Sequence, residues 1–272
     1  MSTDTRTPEK RLTDYLEIQT ETLSTDLDWY YNRYYQVDRA AVLQGIASFH
    51  ETQGIKAYFM DHDPSRMRQE FYTGGILDRE STFISKTHAN MYGAGFGNYE
   101  PFLYGLLSDS PEITEWLMNA ELDAKDVLQN PHFRFHQFQL VLQRDDEALQ
   151  KTIEIIAKKG RKRDRKAAIE GMDFFSLLLK KDKANLEVLI EDYAKIKSVD
   201  ELLNFFLAGY AVICAKLCWI RGIEVEIKNP LVPMPLMPIK PLAHYEVIYD
   251  FLRPNWEPPK QSLMDRFKQW IK

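Results

Sequence analysis

The chain reads as an all-α protein of stacked helical hairpins, and three observations carry that reading. The first is a register that recurs three times: Phe, any, apolar, any, Leu, any two, Asp, any three, apolar. It runs through Phe102, Tyr104, Leu106, Asp109 and Ile113, then through Phe138, Leu140, Leu142, Asp145 and Leu149. The third copy is Phe175, Leu177, Leu179, Asp182 and Leu186, and each copy adds an apolar residue four positions on (Leu117, Ile153, Ile190). The copies begin 36 and then 37 residues apart. That spacing suits one helix ending, a tight turn, and a second helix that starts with Asp as N-cap. A loose repeat of this length is that of helical hairpins, each burying its apolar face on the next. The second observation is that 12 Gly and 13 Pro in 272 residues are too few for a turn-rich β protein. The third is that 44% apolar residues are enough for a full core.

In chain order, Pro8 to about Asp28 predicts an amphipathic helix with Leu12, Tyr15, Leu16, Leu23 and Leu27 on its apolar positions. The aromatic cluster Trp29–Tyr35 closes the N-terminal core. Helical stretches follow at about 36–53, 64–73 and 79–92. The run Gly93 to Asn98 has neither a preceding strand nor a following Lys-Ser/Thr, so it reads as a link and not a phosphate loop. The expected division is therefore an N-terminal helical subdomain, 1–95, and a hairpin stack with a C-terminal strap, 96–272. Ser198 to Arg221 predicts one long apolar helix stopped by Gly222. Ile223, Val225 and Ile227 alternate with glutamates and predict an extended segment with one apolar face. Five prolines between Pro230 and Pro241 forbid helix there, and the Leu, Val, Met and Ile among them suit an apolar strap. A short helix near His244–Leu252 and an amphipathic one near Ser262–Lys272 complete the expectation.

Charge is divided unevenly. Residues 1–150 hold 13 Lys+Arg against 24 Asp+Glu, a net of −11, whereas 151–272 hold 22 against 16, a net of +6. An acidic half repels nucleic acid and steers toward a basic protein. The basic excess sits in Lys158 to Lys166. With no interleaved aromatic residue, this run reads as a solvated interhelical loop whose cations favour a helix C-terminus, ahead of a phosphate-binding patch. The polar start, Met1 to Arg11, lacks the apolar core of a signal peptide. The apolar stretch 202–220 contains Lys216 and is too short to span, so a buried core helix is expected and no membrane partner.

The search for catalytic chemistry yields little. His132 and His136 are four apart after Pro131, the geometry of a metal pair, but no third ligand accompanies them. Asp61-His62-Asp63 before Pro64 reads as a turn capping the next helix. Cys214 and Cys218 on an apolar helix read as inert buried thiols. The carboxylate pairs Glu112/Glu115 and Glu187/Glu191 read as solvated helix faces. No cofactor or metal is expected, and the chain is expected not to be an enzyme.

The segment from Phe206 to Ile227, with its Gly222 stop, followed by Pro230-Leu-Val-Pro233 and His244-Tyr245, resembles bacterial polymorphic-toxin immunity proteins, in particular the immunity protein 49 family. A second resemblance is to the helical immunity proteins paired with PoNe-type DNases. The likeness covers about 170–252 and extends weakly back to about 100. It implies a helical, cytoplasmic antitoxin that binds a cognate toxin effector encoded by a neighbouring gene, and it supplies no catalytic positions. Charge suggests which residues would meet a basic, nuclease-like toxin domain: Asp61, Asp63, Asp109, Glu112 and Glu115 at turns and helix starts, or Glu224 and Glu226 on the strap edge. A homodimer, plugging of the toxin's active site and remote clamping all remain open. Two other readings stay beside this one: a helical adaptor with a peptide groove, and a metal enzyme built on His132, His136 and Asp61 or Asp63.

Overall fold

The protein is all-α in a computed structural model that describes residues 6–87, 98–198 and 202–261. The helices are α1 (Pro8–Asn32), α2 (Arg39–Phe59), α3 (Pro64–Thr87), α4 (Glu100–Leu107), α5 (Pro111–Asn119) and α6 (Pro131–Gln143). They continue as α7 (Asp146–Lys159), α8 (Lys162–Glu170), α9 (Phe174–Lys180), α10 (Lys183–Tyr193), α11 (Leu203–Phe206) and α12 (Gly209–Ile220). None of the described helices is long and apolar enough to cross a membrane. The chain forms two compact units: Met1–Gly95 with Leu242–Lys272, and Phe96–Pro241. The first boundary falls where the glycine run suggests it. The segment from Leu242 onward, expected to stay with the second unit, joins the first.

In the first unit α2 and α3 form an antiparallel pair on which α1 packs. Gly54 lets the two helices approach, because a Cβ there would lie 2.3 Å from Phe71 Cε1. Helix α1 starts at Thr7, whose hydroxyl accepts the Lys10 N–H, and buries Leu12, Leu16 and Tyr30. Tyr30 and Tyr34 gather with Phe251 and Trp256 of the C-terminal segment, so the aromatic run does close this core. The stretches expected at 64–73 and 79–92 are joined into one continuous helix, α3, as far as Thr87, and residues 88–92 lie outside the described residues. The helix expected near His244–Leu252 is instead extended chain with a single 3-10 turn at Asp250–Leu252. Its backbone is held from the side: Gln69 accepts the Glu246 N–H and donates to the Glu246 carbonyl, each at 2.9 Å.

In the second unit α12 is the central element, packing on α4, α6 and α10. All nine of its residues Gly209, Ala211–Cys218 are buried. Each copy of the sequence register places its turn between two helices: α4 and α5, α6 and α7, α9 and α10. The Phe and the two downstream apolar positions are buried in every copy. The pairs do not form a uniform array, since α8 separates the second from the third and α12 fills the space on which they converge.

The long apolar helix expected from Ser198 is broken. Leu207 is extended (φ −140°, ψ 125°), and the Ala208 N–H turns away from helix to donate 2.8 Å to the Leu231 carbonyl. The end at Gly222 is as expected: φ is +77°, the Gly222 N–H reaches the Trp219 carbonyl and the Ile223 N–H the Cys218 carbonyl. Beyond it, Ile223, Val225 and Ile227 are buried and Glu224 and Glu226 exposed. No strand pairs with this segment among the described residues; instead Glu187 accepts the Glu226 N–H (2.8 Å) and Glu191 accepts those of Lys228 and Asn229. These two α10 carboxylates, read from sequence as solvated, substitute for a sheet neighbour. The Pro-rich stretch, expected to exclude helix, makes one 3-10 turn at Met234–Leu236, with Pro235 inside it, and buries Val232, Leu236 and Met237. The basic run is not a loop: Lys158 and Lys159 end α7, while Lys162 to Lys166 form the exposed first turns of α8. The residues Gly93 to Gly97 and the expected terminal helix at 262–272 lie outside the described residues.

Candidate interaction surface

The seven acidic candidates separate sharply once placed in the fold. Asp109 is not a surface residue. Its carboxylate lies 2.6 Å from Lys216 Nζ, and both side chains are 1% exposed. Lys216 also donates to the Leu236 carbonyl at 2.8 Å, so one ammonium ties α4's end, α12 and the Pro-rich strap together. Nor is Asp109 an N-cap. In the second and third copies a left-handed residue, Arg144 or Lys181, ends the helix and Asp145 or Asp182 caps the next. In the first copy the turn is one residue longer, Asp109 itself is left-handed (φ 57°), and Ser110 is the cap. Asp tolerates that backbone better than most residues.

Asp61 and Asp63 are exposed but already engaged. Asp63 accepts the Ser65 and Arg66 N–H groups at the start of α3, the turn expected from sequence. Asp61 pairs with Lys56 at 2.7 Å and Arg66 at 3.4 Å. Glu226 lies 3.7 Å from Lys183, and Glu224 is exposed beside it. Glu112 and Glu115 are exposed on α5, whose opposite side buries Ile113 and Leu117. Glu112 stands in the first turn, where a negative charge complements the helix dipole.

The α5 pair continues into a larger feature. Residues 111–130 contain Glu112, Glu115, Glu121, Asp123 and Asp126 against the single cation Lys125, a net of −4. All six are exposed. Polar side chains of α6 tie down the end of α5 and, at Ala120 and Ala124, the connection that carries the last three acids. Buried Gln139 donates to the carbonyls of Leu117 (3.0 Å) and Ala120 (2.7 Å), and Gln143 donates to Met118 (2.6 Å). His132 Nδ1 accepts the Ala124 N–H at 3.4 Å. Its neighbour His136 is half-buried, and burial lowers its pKa. Among the described residues no group of three or more His, Cys, Asp or Glu side chains is arranged to hold a metal.

The charge division seen along the chain is a property of the second unit. By unit, the first holds 15 Lys+Arg against 18 Asp+Glu and the second 20 against 22, nearly the same balance. Within the second, residues 96–150 hold 3 against 10 and residues 151–241 hold 17 against 12. The acidic excess thus concentrates on α5, the connection after it and the α6–α7 turn, where Asp145, Asp146 and Glu147 are also exposed.

Two features escaped the sequence reading. His50 is buried and bridges Glu70 through Nδ1 and the Tyr249 hydroxyl through Nε2, both at 2.7 Å. On α1, Ile18 (63%) and Trp29 (37%) are exposed on the side away from Leu12 and Leu16, and Tyr15 (43%), expected to share the apolar positions with those leucines, is instead exposed at the edge of the same stripe, flanked by exposed Glu17, Glu21 and Asp28. A helical-wheel reading of 8–32 would have found that stripe; only the fold joins residues 50 and 249. The two thiols behave as expected: both are buried, and burial pushes Cys214 well up and Cys218 to about 12. No protein-family model matches the chain, and no curated protein and no solved structure matches it.

Proposed function

We propose that this chain is an immunity protein that binds a cognate, basic toxin domain in the cytoplasm of the producing cell and blocks it by occlusion. The observation that carries the reading is the exposed acidic run on α5 and its connection, five carboxylates against one lysine, fixed by Gln139, Gln143 and His132. Preorganised carboxylates facing solvent raise the encounter rate with a basic cleft and complement it after docking. The segment from Phe206 onward supports the same reading through its resemblance to toxin-immunity proteins. The packing of α12 among α4, α6 and α10 favours an outer surface over an inner peptide groove, because the space between the helix pairs is already filled.

Of the original candidates, Glu112 and Glu115 belong to this surface, joined by Glu121, Asp123 and Asp126. Asp61, Asp63, Glu224 and Glu226 lie outside this run, and Asp109 is buried against Lys216. The test is co-expression with the toxin domain encoded by the adjacent gene, scored by survival and then by co-elution. Survival with a stable complex is expected. A toxic neighbour that is neither neutralised nor bound would overturn the reading. In the complex, Glu112→Lys with Glu115→Lys should slow association at least several-fold at low salt, with the difference shrinking as salt rises.

A further inference from the structure

Two adjoining cavities in the second unit share Arg134, Ile156 and Asp164 as common wall. One, of about 250 Å³, lies against the N-terminal end of α6 and mixes Gln129, Asn130 and Arg161 with Leu128 and Phe133 on its lining. The other, of about 380 Å³, is lined by Met172, Leu189, Ile196, Tyr193 and Tyr210, with Arg163 at its edge. Together they have a charged end and an apolar, aromatic end. Their combined size is in the range of small-molecule sites.

Arg134 is the group that gives this place a chemistry. Its guanidinium carbon lies 5.1 Å from the Phe175 ring centroid, but the side chain makes no hydrogen bond or ion pair with any described residue. The groups nearest in charge are Tyr210, Tyr193, Cys214 and Asp173. Burial pushes the first three well up, so they are neutral near pH 7. The Asp173 carboxylate is committed elsewhere: it accepts the Phe175 and Ser176 N–H groups and the Ser176 hydroxyl at the start of α9. Asp173 still offsets part of the charge on Arg134 from a distance, but it makes no ion pair with the guanidinium, whose N–H donors remain open to an oxyanion. Arg161 and Arg163 add two further guanidinium groups, and α8 begins at Arg161 with no side chain capping its first N–H groups. Asp164 is the one uncommitted carboxylate on the lining.

We propose that this double cavity binds a small amphipathic oxyanion: a phosphate or carboxylate head on Arg134, with Arg161 and Arg163 at the rim, and an apolar or aromatic body between Tyr193, Tyr210 and Ile196. Guanidinium forks match either head bidentately, which places the specificity at Arg134. The site is independent of the acidic surface on α5 and stands whether or not a toxin is bound there.

The test is calorimetric titration of the full chain with phenyl phosphate, benzoate, inorganic phosphate and benzyl alcohol. Phenyl phosphate or benzoate, or both, should bind at least tenfold more tightly than inorganic phosphate or benzyl alcohol, and which of the two binds identifies the head group. Arg134→Gln should weaken binding at least tenfold, Arg163→Gln a few-fold, and Asp164→Asn should strengthen it. Arg163 is exposed on α8, so its variant keeps the test decisive if Arg134→Gln does not fold. The proposal is overturned if neither aromatic anion binds above the two controls, or if binding is unmoved by Arg163→Gln and Asp164→Asn.

Discussion

The turn between α4 and α5 and the turn between α9 and α10 carry the same residue pattern and use their aspartates in opposite ways. Asp182 stays at the surface and accepts the Asn185 N–H as the N-cap of α10. Asp109 occupies the same register position, but its turn holds three residues, 108–110, where the other holds two, 181–182. That extra residue shifts the capping task to Ser110 and rotates Asp109 inward onto Lys216. A recurring sequence position therefore does not fix a recurring role; the length of the turn decides which side of the helix pair the carboxylate faces.

The strongest way to break the comparison is to remove the partner of the inward aspartate. Lys216→Met should destabilise the protein by about 3–5 kcal/mol, because it leaves Asp109 buried without a counter-charge. Asp109→Asn combined with Lys216→Met should recover part of that loss, since the neutral amide tolerates the left-handed backbone at 109 and leaves no buried charge. Urea denaturation of the two variants measures both. A single-variant loss under about 1 kcal/mol would mean that the carboxylate escapes to water and that the inward geometry is not rigid.

Smaller effects belong to the caps themselves. Ser110→Ala and Asp145→Ala should each cost about 1 kcal/mol, the usual consequence of leaving a first-turn N–H without an acceptor. Asp109→Ala should cost more than either, which sharpens the distinction between a cap and a buried ion pair. Equal losses at 109 and 145 in thermal unfolding would erase it. Glu187→Ala with Glu191→Ala should loosen the extended segment 223–229 without unfolding the helices. Hydrogen exchange at Glu226 and Lys228 is the readout, and unchanged protection there would show that water serves those N–H groups as well as the carboxylates do.

The helices and their buried faces were legible because periodicity reports local environment, as at Leu12 and Leu16 on α1 or Ile223, Val225 and Ile227 after α12. What stayed hidden depends on partners remote in sequence. The break before α12 needs the carbonyl of Leu231, and an apolar run by itself reads as uninterrupted helix. Glu187 and Glu191 look like ordinary exposed glutamates until the segment they serve is in place. The acidic surface was half legible: Glu112 and Glu115 were visible as a pair, but the point where the chain leaves α5 toward Glu121, Asp123 and Asp126 is held by Gln139 and Gln143, residues with no charge to draw attention. Arg134 gave no signal at all, being one arginine between aromatic residues, because its meaning lies in the partners it lacks.

The finest test of the comparison is its dependence on pH. The carboxyl of Asp182 is held below its ordinary value of 3.8, first by the hydrogen bond from the Asn185 side chain and then by that from its backbone N–H. A depressed folded-state pKa means that the folded protein binds this proton less readily than the unfolded chain does. The cap's contribution is therefore fully present above the unfolded value and is lost as pH falls through the folded one. Asp26 on α1 has the opposite sign: burial raises its pKa, so its contribution to stability grows as pH falls and its charge is a liability near neutrality. Asp182→Asn should lower the melting temperature slightly at pH 7, and the deficit should shrink as the pH falls toward the lowered pKa of the wild-type cap. Asp26→Asn should do the reverse, raising the melting temperature at pH 7 and changing it little at pH 3. Melting curves at the two pH values separate the pair, and shifts of the same sign at pH 7 would contradict the opposite roles that burial and hydrogen bonding give these two aspartates.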